Sequence, residues 1–130
     1  QIGHIHLYAS NLNDSMHFYN TVLGFQEDQT YENFHMAEVG LDKQQPHVIA
    51  WNTWKGNGIP PTPADALGMR HFTLVLSDTS ELQRIVERIH KAGITTEQTP
   101  EGILVRDPSQ INIILTDQMH KNWILCGPWC

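Results

Sequence analysis

Two copies of one pattern run through the sequence, and this repeat constrains the fold more than any other feature. Each copy begins with a short run of alternating apolar and polar residues and continues into a helical stretch. A shift of 67 residues places His4 on His71, Leu7 on Leu74 and Asn11 on Asp78. Alternation with a period of two is typical of a half-buried strand, so each copy is expected to start with a strand followed by a helix.

Start and stop signals delimit the two predicted helices. Asn11 and Asp78 are residue types that cap a helix N-terminus, and each is followed three residues later by an acid in the first turn. The helices are predicted over residues 14–23 and 80–91, with a glycine immediately after the first and soon after the second to end it.

Short strand-like runs follow each helix. They cover residues 27–31, 34–39 and 47–52 in the first copy and residues 95–98, 103–106 and 111–116 in the second. Each copy therefore has the order βαβββ, and the predicted fold class is α+β. The two sheets, each covered on one face by a helix, are expected to bury their other faces against one another and to leave a cleft.

The two units form one predicted domain over residues 1–116. The units span about 1–54 and 68–116, the proline-rich segment 55–67 links them, and residues 117–130 form a C-terminal tail. The first residue is Gln1 rather than Met, so the chain is expected to be a piece of a longer protein.

Composition excludes several classes of partner and compartment. The formal charge is -6, from 14 acidic and 8 basic residues, which argues against a nucleic acid or an anionic membrane surface as partner. The two cysteines, Cys126 and Cys130, both lie in the tail and are too few for a disulfide scaffold, so a cytoplasmic location is expected. No apolar run approaches the roughly 20 residues that span a bilayer.

Residues of the repeat resemble the vicinal oxygen chelate superfamily, which includes glyoxalase I, extradiol ring-cleaving dioxygenases and bleomycin-resistance proteins. In the first copy the matching residues are His4, Asn11-Leu12, Ser15, Phe18-Tyr19 and Val22-Leu23-Gly24-Phe25, and the second copy adds residues 68–71 and 106–109. The run 47–54, followed by Gly56, Gly58 and Pro60-Pro61, is similar to the C-terminal half of bacterial two-domain catechol 2,3-dioxygenase-like proteins.

The resemblance implies a metal in the cleft, with His4 and His71 at the ligand positions of the two first strands. Fe(II) or another divalent first-row metal suits imidazole ligands. The family takes a carboxylate ligand from the last strand, and Ile114 occupies that position here. An apolar side chain cannot complete a site of two histidines and one carboxylate.

Three explanations of the missing carboxylate remain open. His47 supplies a third ligand, residues outside this chain complete the site, or the site holds no metal. The face on which His47 lies depends on a strand register that is uncertain by one residue.

His6 and His47 are the candidate catalytic bases, because an imidazole accepts a proton near neutral pH. Glu38 is expected to face solvent. Trp51 and Trp54 are candidates for the wall of an aromatic pocket, although aromatic residues at such strand positions more often pack in a core.

The resemblance implies a domain of a metal-dependent extradiol dioxygenase that cleaves a small aromatic vicinal diol with O2. The alternatives are a metal-free binding module of the bleomycin-resistance type and, less favoured, a glyoxalase-like isomerase. The expected partners are the substrate and either an N-terminal domain of the same polypeptide or a second copy of the chain.

Overall fold

The computed structural model describes residues 4–63 and 65–118, which form two compact units. The first unit comprises the described residues up to 68 together with residues 107–111, and the second comprises residues 69–106 and 112–118. Cys126, Cys130 and most of the predicted tail lie outside the described residues. In the described part of the chain, no helix has the length and apolar character needed to cross a membrane.

The first unit is a four-stranded mixed sheet with one helical segment. Its elements are β1 (Ile5–Tyr8), α1 (Leu12–Met16), a π-helical turn (His17–Val22), β2 (Glu27–Tyr31), β3 (Met36–Gly40) and β4 (Ile49–Asn52). The strand order is β1-β4-β3-β2, in which β1 and β4 are parallel and the other pairs antiparallel.

The helical segment starts two residues earlier than predicted, at its cap. Oδ1 of Asn11 accepts a hydrogen bond from the backbone N–H of Asp14 at 2.9 Å. After Met16 the backbone widens, and the N–H of Leu23 donates to the carbonyl of Phe18, five residues back. The π-helical turn accompanies the burial of two neighbouring aromatic residues, Phe18 and Tyr19.

Trp51 lies in the core of the first unit. Its ring stacks on Tyr19 with the centroids 5.2 Å apart, and its Nε1 donates to the carbonyl of Leu12 at 3.2 Å. Both the stacking and the hydrogen bond tie β4 to the helical segment. Trp51 is therefore a core residue, as aromatic residues at strand positions commonly are.

A buried hydrogen bond joins the helical segment to the loop 107–111. The hydroxyl of Tyr19 donates to Oδ2 of Asp107 at 2.7 Å, while Oδ1 accepts from the backbone N–H groups of Ser109 and Ile111 at 2.8 and 2.9 Å. Burial raises the pKa of Asp107 against the opposing effect of these hydrogen bonds. Burial, with the nearby Asp107 carboxylate, raises the pKa of Tyr19 well above its usual value.

The second unit repeats the topology. Its elements are β5 (Phe72–Val75), α2 (Thr79–Lys91), β6 (Glu97–Thr99), β7 (Gly102–Arg106) and β8 (Asn112–Thr116). The strand order is β5-β8-β7-β6, with β5 and β8 parallel. Asp78 caps α2 by accepting from the N–H of Glu81 at 2.8 Å, and Ile85 and Ile89 form the buried stripe of the helix.

The predicted pair of βαβββ units is confirmed, with small differences at element ends. The strand predicted over residues 34–39 starts two residues later, at Met36, because Phe34 belongs to a 3₁₀ turn, Glu32–Phe34. His35 follows with a φ of 51°, a left-handed conformation that strands do not adopt. The expected burial of the two sheets against each other, and the cleft between them, stay predictions.

Candidate functional site

One face of the first sheet carries most of the predicted site residues. The register pairs His6 with Ala50 and Ala50 with Glu38, so these three side chains point to the same face. Trp51 points to the opposite, helix-covered face, because side chains alternate along a strand. We call the face that carries His6 and Glu38, together with the neighbouring His4, His47 and Trp54, the histidine face.

Glu38 and His47 form a pair on the histidine face. Nδ1 of His47 lies 3.3 Å from Oε1 of Glu38, and the hydroxyl of Tyr31 donates to the same oxygen at 3.1 Å. The hydrogen bond to Glu38 is the main cause that raises the pKa of Tyr31. The His47 side chain is 55% exposed, but that of Glu38 is only 13% exposed. The expectation that Glu38 faces solvent was therefore wrong, because its neighbours largely cover the carboxylate.

His4 lies next to this pair. The ring centroids of His4 and His47 are 6.0 Å apart in an edge-on arrangement. The structure thus brings together one predicted metal ligand and one predicted catalytic residue within the first unit.

His6 contacts a different set of residues. Its Nε2 lies 2.7 Å from Nδ2 of Asn52, and its ring centroid lies 5.6 Å from that of Trp54. The Oδ1 of Asn52 accepts from the backbone N–H of Trp54 at 3.1 Å. Trp54 is 60% exposed, so its indole is available as a wall for a planar ligand.

His71 belongs to the second unit and lies near a different carboxylate. Its Nε2 is 3.5 Å from Oε2 of Glu101. Ile114 pairs with Thr73 and with Leu104 and is buried at 4% exposure. The sheet position that the family fills with a carboxylate is thus an apolar core position here.

The same position in the first unit is also apolar. Ala50 of the first unit is equivalent to Ile114 of the second. Ala50 pairs with His6 and Ile114 pairs with Thr73, and the repeat shift of 67 residues places His6 on Thr73. The last strand of each unit therefore presents a hydrocarbon side chain where a ligand is expected.

The described side chains offer metal donors of suitable chemistry but not a complete ligand set. Two histidines and a carboxylate lie together on the histidine face, and this is the donor chemistry that non-haem Fe(II) prefers. However, no three His, Cys, Asp or Glu side chains of the described residues are grouped in a way that could hold a metal ion. With Ala50 and Ile114 at the last-strand positions, the described residues do not fit a metal by themselves.

Sequence reasoning missed Asn52 and the pairing of Glu38 with His47. Asn52 ends a strand, where asparagine is uncommon, and that is the one local signal that could have indicated a special role. Alternation along β3 predicts only that Glu38 shares a strand face with Met36. The contact of Glu38 with His47 depends on the path of the chain between β3 and β4.

Comparison with known proteins agrees with this architecture. Residues 1–114 match the model of the Glyoxalase/Bleomycin resistance protein/Dioxygenase superfamily. The chain is 36% identical over 107 residues to a catechol-2,3-dioxygenase of Bacillus subtilis (strain 168), covering 82% of this chain and 37% of that protein. The chain thus spans well under half the length of this relative.

Solved structures share the fold at lower sequence identity. A glyoxylase/bleomycin resistance protein/dioxygenase domain from Frankia sp. EAN1pec superposes with a TM-score of 0.71 at 21% identity, covering 88% of this chain and 94% of the other. Lactoylglutathione lyase from Agrobacterium tumefaciens superposes with a TM-score of 0.63 at 18% identity, covering 88% and 91%. From the repeated βαβββ units and the match over nearly all of its described residues, the chain belongs to the glyoxalase, bleomycin resistance protein and dioxygenase superfamily.

Proposed function

We propose that the chain is part of an extradiol dioxygenase that cleaves a small aromatic vicinal diol with O2. The observation that carries the proposal is the 36% identity over 107 residues to a catechol-2,3-dioxygenase. Since this chain covers 37% of that relative, the activity is proposed for the longer protein of which the chain forms a part.

The histidine face supports binding of such a substrate. A vicinal diol presents two adjacent oxygens on a planar ring, which need hydrogen-bonding groups beside an apolar surface. The polar groups are the imidazoles of His6 and His47 and the carboxylate of Glu38, and the exposed indole of Trp54 supplies the surface.

His47 has the arrangement of a general base. When its Nδ1 carries the proton, that N–H donates to the Glu38 carboxylate 3.3 Å away, and Nε2 keeps a lone pair for the proton of a substrate hydroxyl. Glu38 would hold the ring in this orientation and stabilise the imidazolium that forms. We propose His47 for this role.

A metal would require donors beyond those described. The family's chemistry uses Fe(II) or another divalent first-row metal, and His4 and His71 match its histidine positions. Because the described residues do not fit a metal alone, we propose that further ligands come from another domain of the same polypeptide or from a second copy of the chain.

The test is oxygen uptake with catechol, together with iron analysis, on the longer parent protein. Changing His4 and His71 together to Ala is expected to abolish both bound iron and oxygen uptake, whereas His47→Gln is expected to lower turnover and leave the iron in place. His90→Ala is the matched control, because His90 is an exposed residue of α2. Iron and oxygen uptake that survive the double change would contradict the proposed ligands.

The apolar residues Ala50 and Ile114 favour a second candidate, a metal-free binding module. In this function the histidine face would hold a planar ligand without consuming O2. Binding of catechol to protein that contains no metal, with no rise in Tm on adding Fe(II), Mn(II), Ni(II) or Zn(II), would favour this candidate over the dioxygenase.

A further inference from the structure

The side-chain amide of Asn52 has a defined orientation at the end of β4. Its Oδ1 lies 3.1 Å from the backbone nitrogen of Trp54. A backbone N–H can only donate, so the oxygen of the amide, and not its nitrogen, must face this group. Asn52 is 2% exposed, which leaves little room for water to replace the contact.

The orientation of Asn52 determines which nitrogen of His6 carries a proton. Nδ2 of Asn52 lies 2.7 Å from Nε2 of His6, and an amide nitrogen has hydrogens to donate but no lone pair to offer. Nε2 of His6 must therefore be the acceptor. In a neutral imidazole the other nitrogen then holds the hydrogen, so His6 is the Nδ1–H tautomer.

We propose that Asn52 is a positioning residue that holds His6 as this neutral tautomer, so that Nδ1–H donates to an oxygen of a small aromatic ligand beside Trp54. His6 is exposed, and its Nδ1 makes no hydrogen bond to any residue that the structure describes. The acceptor would be a phenolate, carboxylate or carbonyl oxygen. The tautomer follows from the contacts alone, whereas the identity of the ligand rests on the proposed function.

The two histidines then have opposite roles on the same face. Nδ1 of His47 faces a carboxylate and Nε2 of His6 faces an amide N–H, so the ring of His47 keeps a free acceptor and that of His6 a free donor. His47 is suited to remove a proton from one substrate oxygen. His6 is suited to donate a hydrogen bond to a ligand oxygen, and this bond strengthens as that oxygen gains negative charge.

Nuclear magnetic resonance tests the tautomer without any activity. In the 130-residue chain labelled with ¹⁵N-histidine, long-range ¹H–¹⁵N spectra separate protonated ring nitrogens from those with a lone pair, and His6→Gln identifies the signals of His6. We expect a lone pair on Nε2 and a proton on Nδ1. A protonated Nε2 in the unmodified chain would overturn the proposal.

Asn52→Asp reverses the donor and acceptor at nearly constant shape. A carboxylate accepts, so Nε2 of His6 is expected to become protonated in this variant. Asn13→Asp introduces the same charge at an exposed residue of α1 and is expected to leave the His6 signals unchanged. A folded Asn52→Asp protein whose Nε2 keeps its lone pair would also refute the role of Asn52.

Catechol titration tests the donor role separately. Adding catechol is expected to shift the Nδ1–H signal of His6, and His6→Phe, which removes the donor and keeps an aromatic ring beside Trp54, is expected to weaken catechol binding by about tenfold, the effect of one lost hydrogen bond. Unchanged affinity in His6→Phe would contradict the donor role. If catechol does not bind to the unmodified chain, both the donor role for this ligand and the binding part of the proposed function are contradicted. The tautomer assignment does not depend on that result.

Discussion

Removing the hydroxyl of Tyr19 is expected to weaken the attachment of the loop 107–111 to the first unit. Tyr19→Phe keeps the ring that stacks on Trp51 and deletes only the group that donates to Asp107 at 2.7 Å. Both partners are buried, so water cannot replace the lost donor. The change therefore measures one buried hydrogen bond to a carboxylate.

The expected loss of unfolding free energy is about 2–3 kcal/mol. A hydrogen bond to a charged group contributes about 1.5–3 kcal/mol, and an acceptor left unpaired in the interior adds a desolvation cost. Oδ1 of Asp107 keeps its two backbone donors at Ser109 and Ile111, so the loop retains part of its structure. Only Oδ2 loses its partner.

Urea unfolding of the 130-residue chain at pH 7, followed by far-UV circular dichroism, gives the free energy. Tyr31→Phe is the matched control, because it removes the same atom from a tyrosine that is 38% exposed and donates to Glu38, and it is expected to cost no more than about 0.5 kcal/mol. Equal losses in the two variants would refute the reasoning that the buried bond anchors the loop.

The cost of Tyr19→Phe is expected to depend on pH. The Tyr19 hydrogen bond lowers the pKa of Asp107, so the bond favours the ionised carboxylate, and its loss should cost less at pH 4 than at pH 7. Burial nevertheless raises the pKa of Asp107 overall. Because Asp107 binds its proton more tightly in the folded chain, protonation adds to the free energy of unfolding. This contribution is fully present below the unfolded pKa of about 4 and is lost as the pH rises through the pKa of the folded chain.

The raised pKa of Tyr19 acts at the alkaline end of the range. In the unfolded chain the Tyr19 phenol ionises at a pH of about 10, whereas in the folded chain it stays protonated to higher pH. The stability that this shift contributes is therefore fully present below pH about 10 and is lost as the pH rises through the pKa of the folded chain. Tyr19→Phe should lack this alkaline component. A variant with the same pH dependence as the unmodified chain between pH 9 and pH 11 would count against the assignment.

Urea unfolding also tests two backbone features. Gly102→Ala is expected to cost at least about 2 kcal/mol, because a Cβ would lie 2.5 Å from the carbonyl oxygen of Leu115 and φ is +149°. Gly93→Ala is the control, because φ is +79° but no atom lies within 4 Å of the added Cβ, and it is expected to cost about 1 kcal/mol. Equal losses in the two variants would rule out the clash with Leu115 as the cause. Asn11→Ala removes the cap of α1 and is expected to cost about 1 kcal/mol, whereas Asn13→Ala in the same helix should be near neutral; equal effects would argue against capping.

Local patterns predicted the elements of this protein because short-range physics decides them. Alternation along β1 and β5, and capping residues such as Asn11 and Asp78, act within a few residues of the chain. The ends of β3 were less predictable, since the 3₁₀ turn at Glu32–Phe34 depends on a single residue, His35, in a left-handed conformation.

The candidate site was only partly predictable, because hydrogen bonds between side chains depend on how strands align. His4, His6 and His47 were predicted as site residues, and the structure places all three in the first unit, where their roles stay predictions. Asn52 was missed because its partners, His6 and the backbone of Trp54, meet only when β1 pairs with β4.

Residue type and local spacing are enough to establish the repeated βαβββ unit, the helix caps Asn11 and Asp78, and the lack of a ligand side chain at Ile114. Which groups share a hydrogen bond depends instead on the tertiary structure. Tyr19 meets Asp107 across 88 residues of sequence, and Glu38 meets His47 through the antiparallel return from β3 to β4. Such contacts require two segments in one register, and no local pattern encodes the register of segments so far apart.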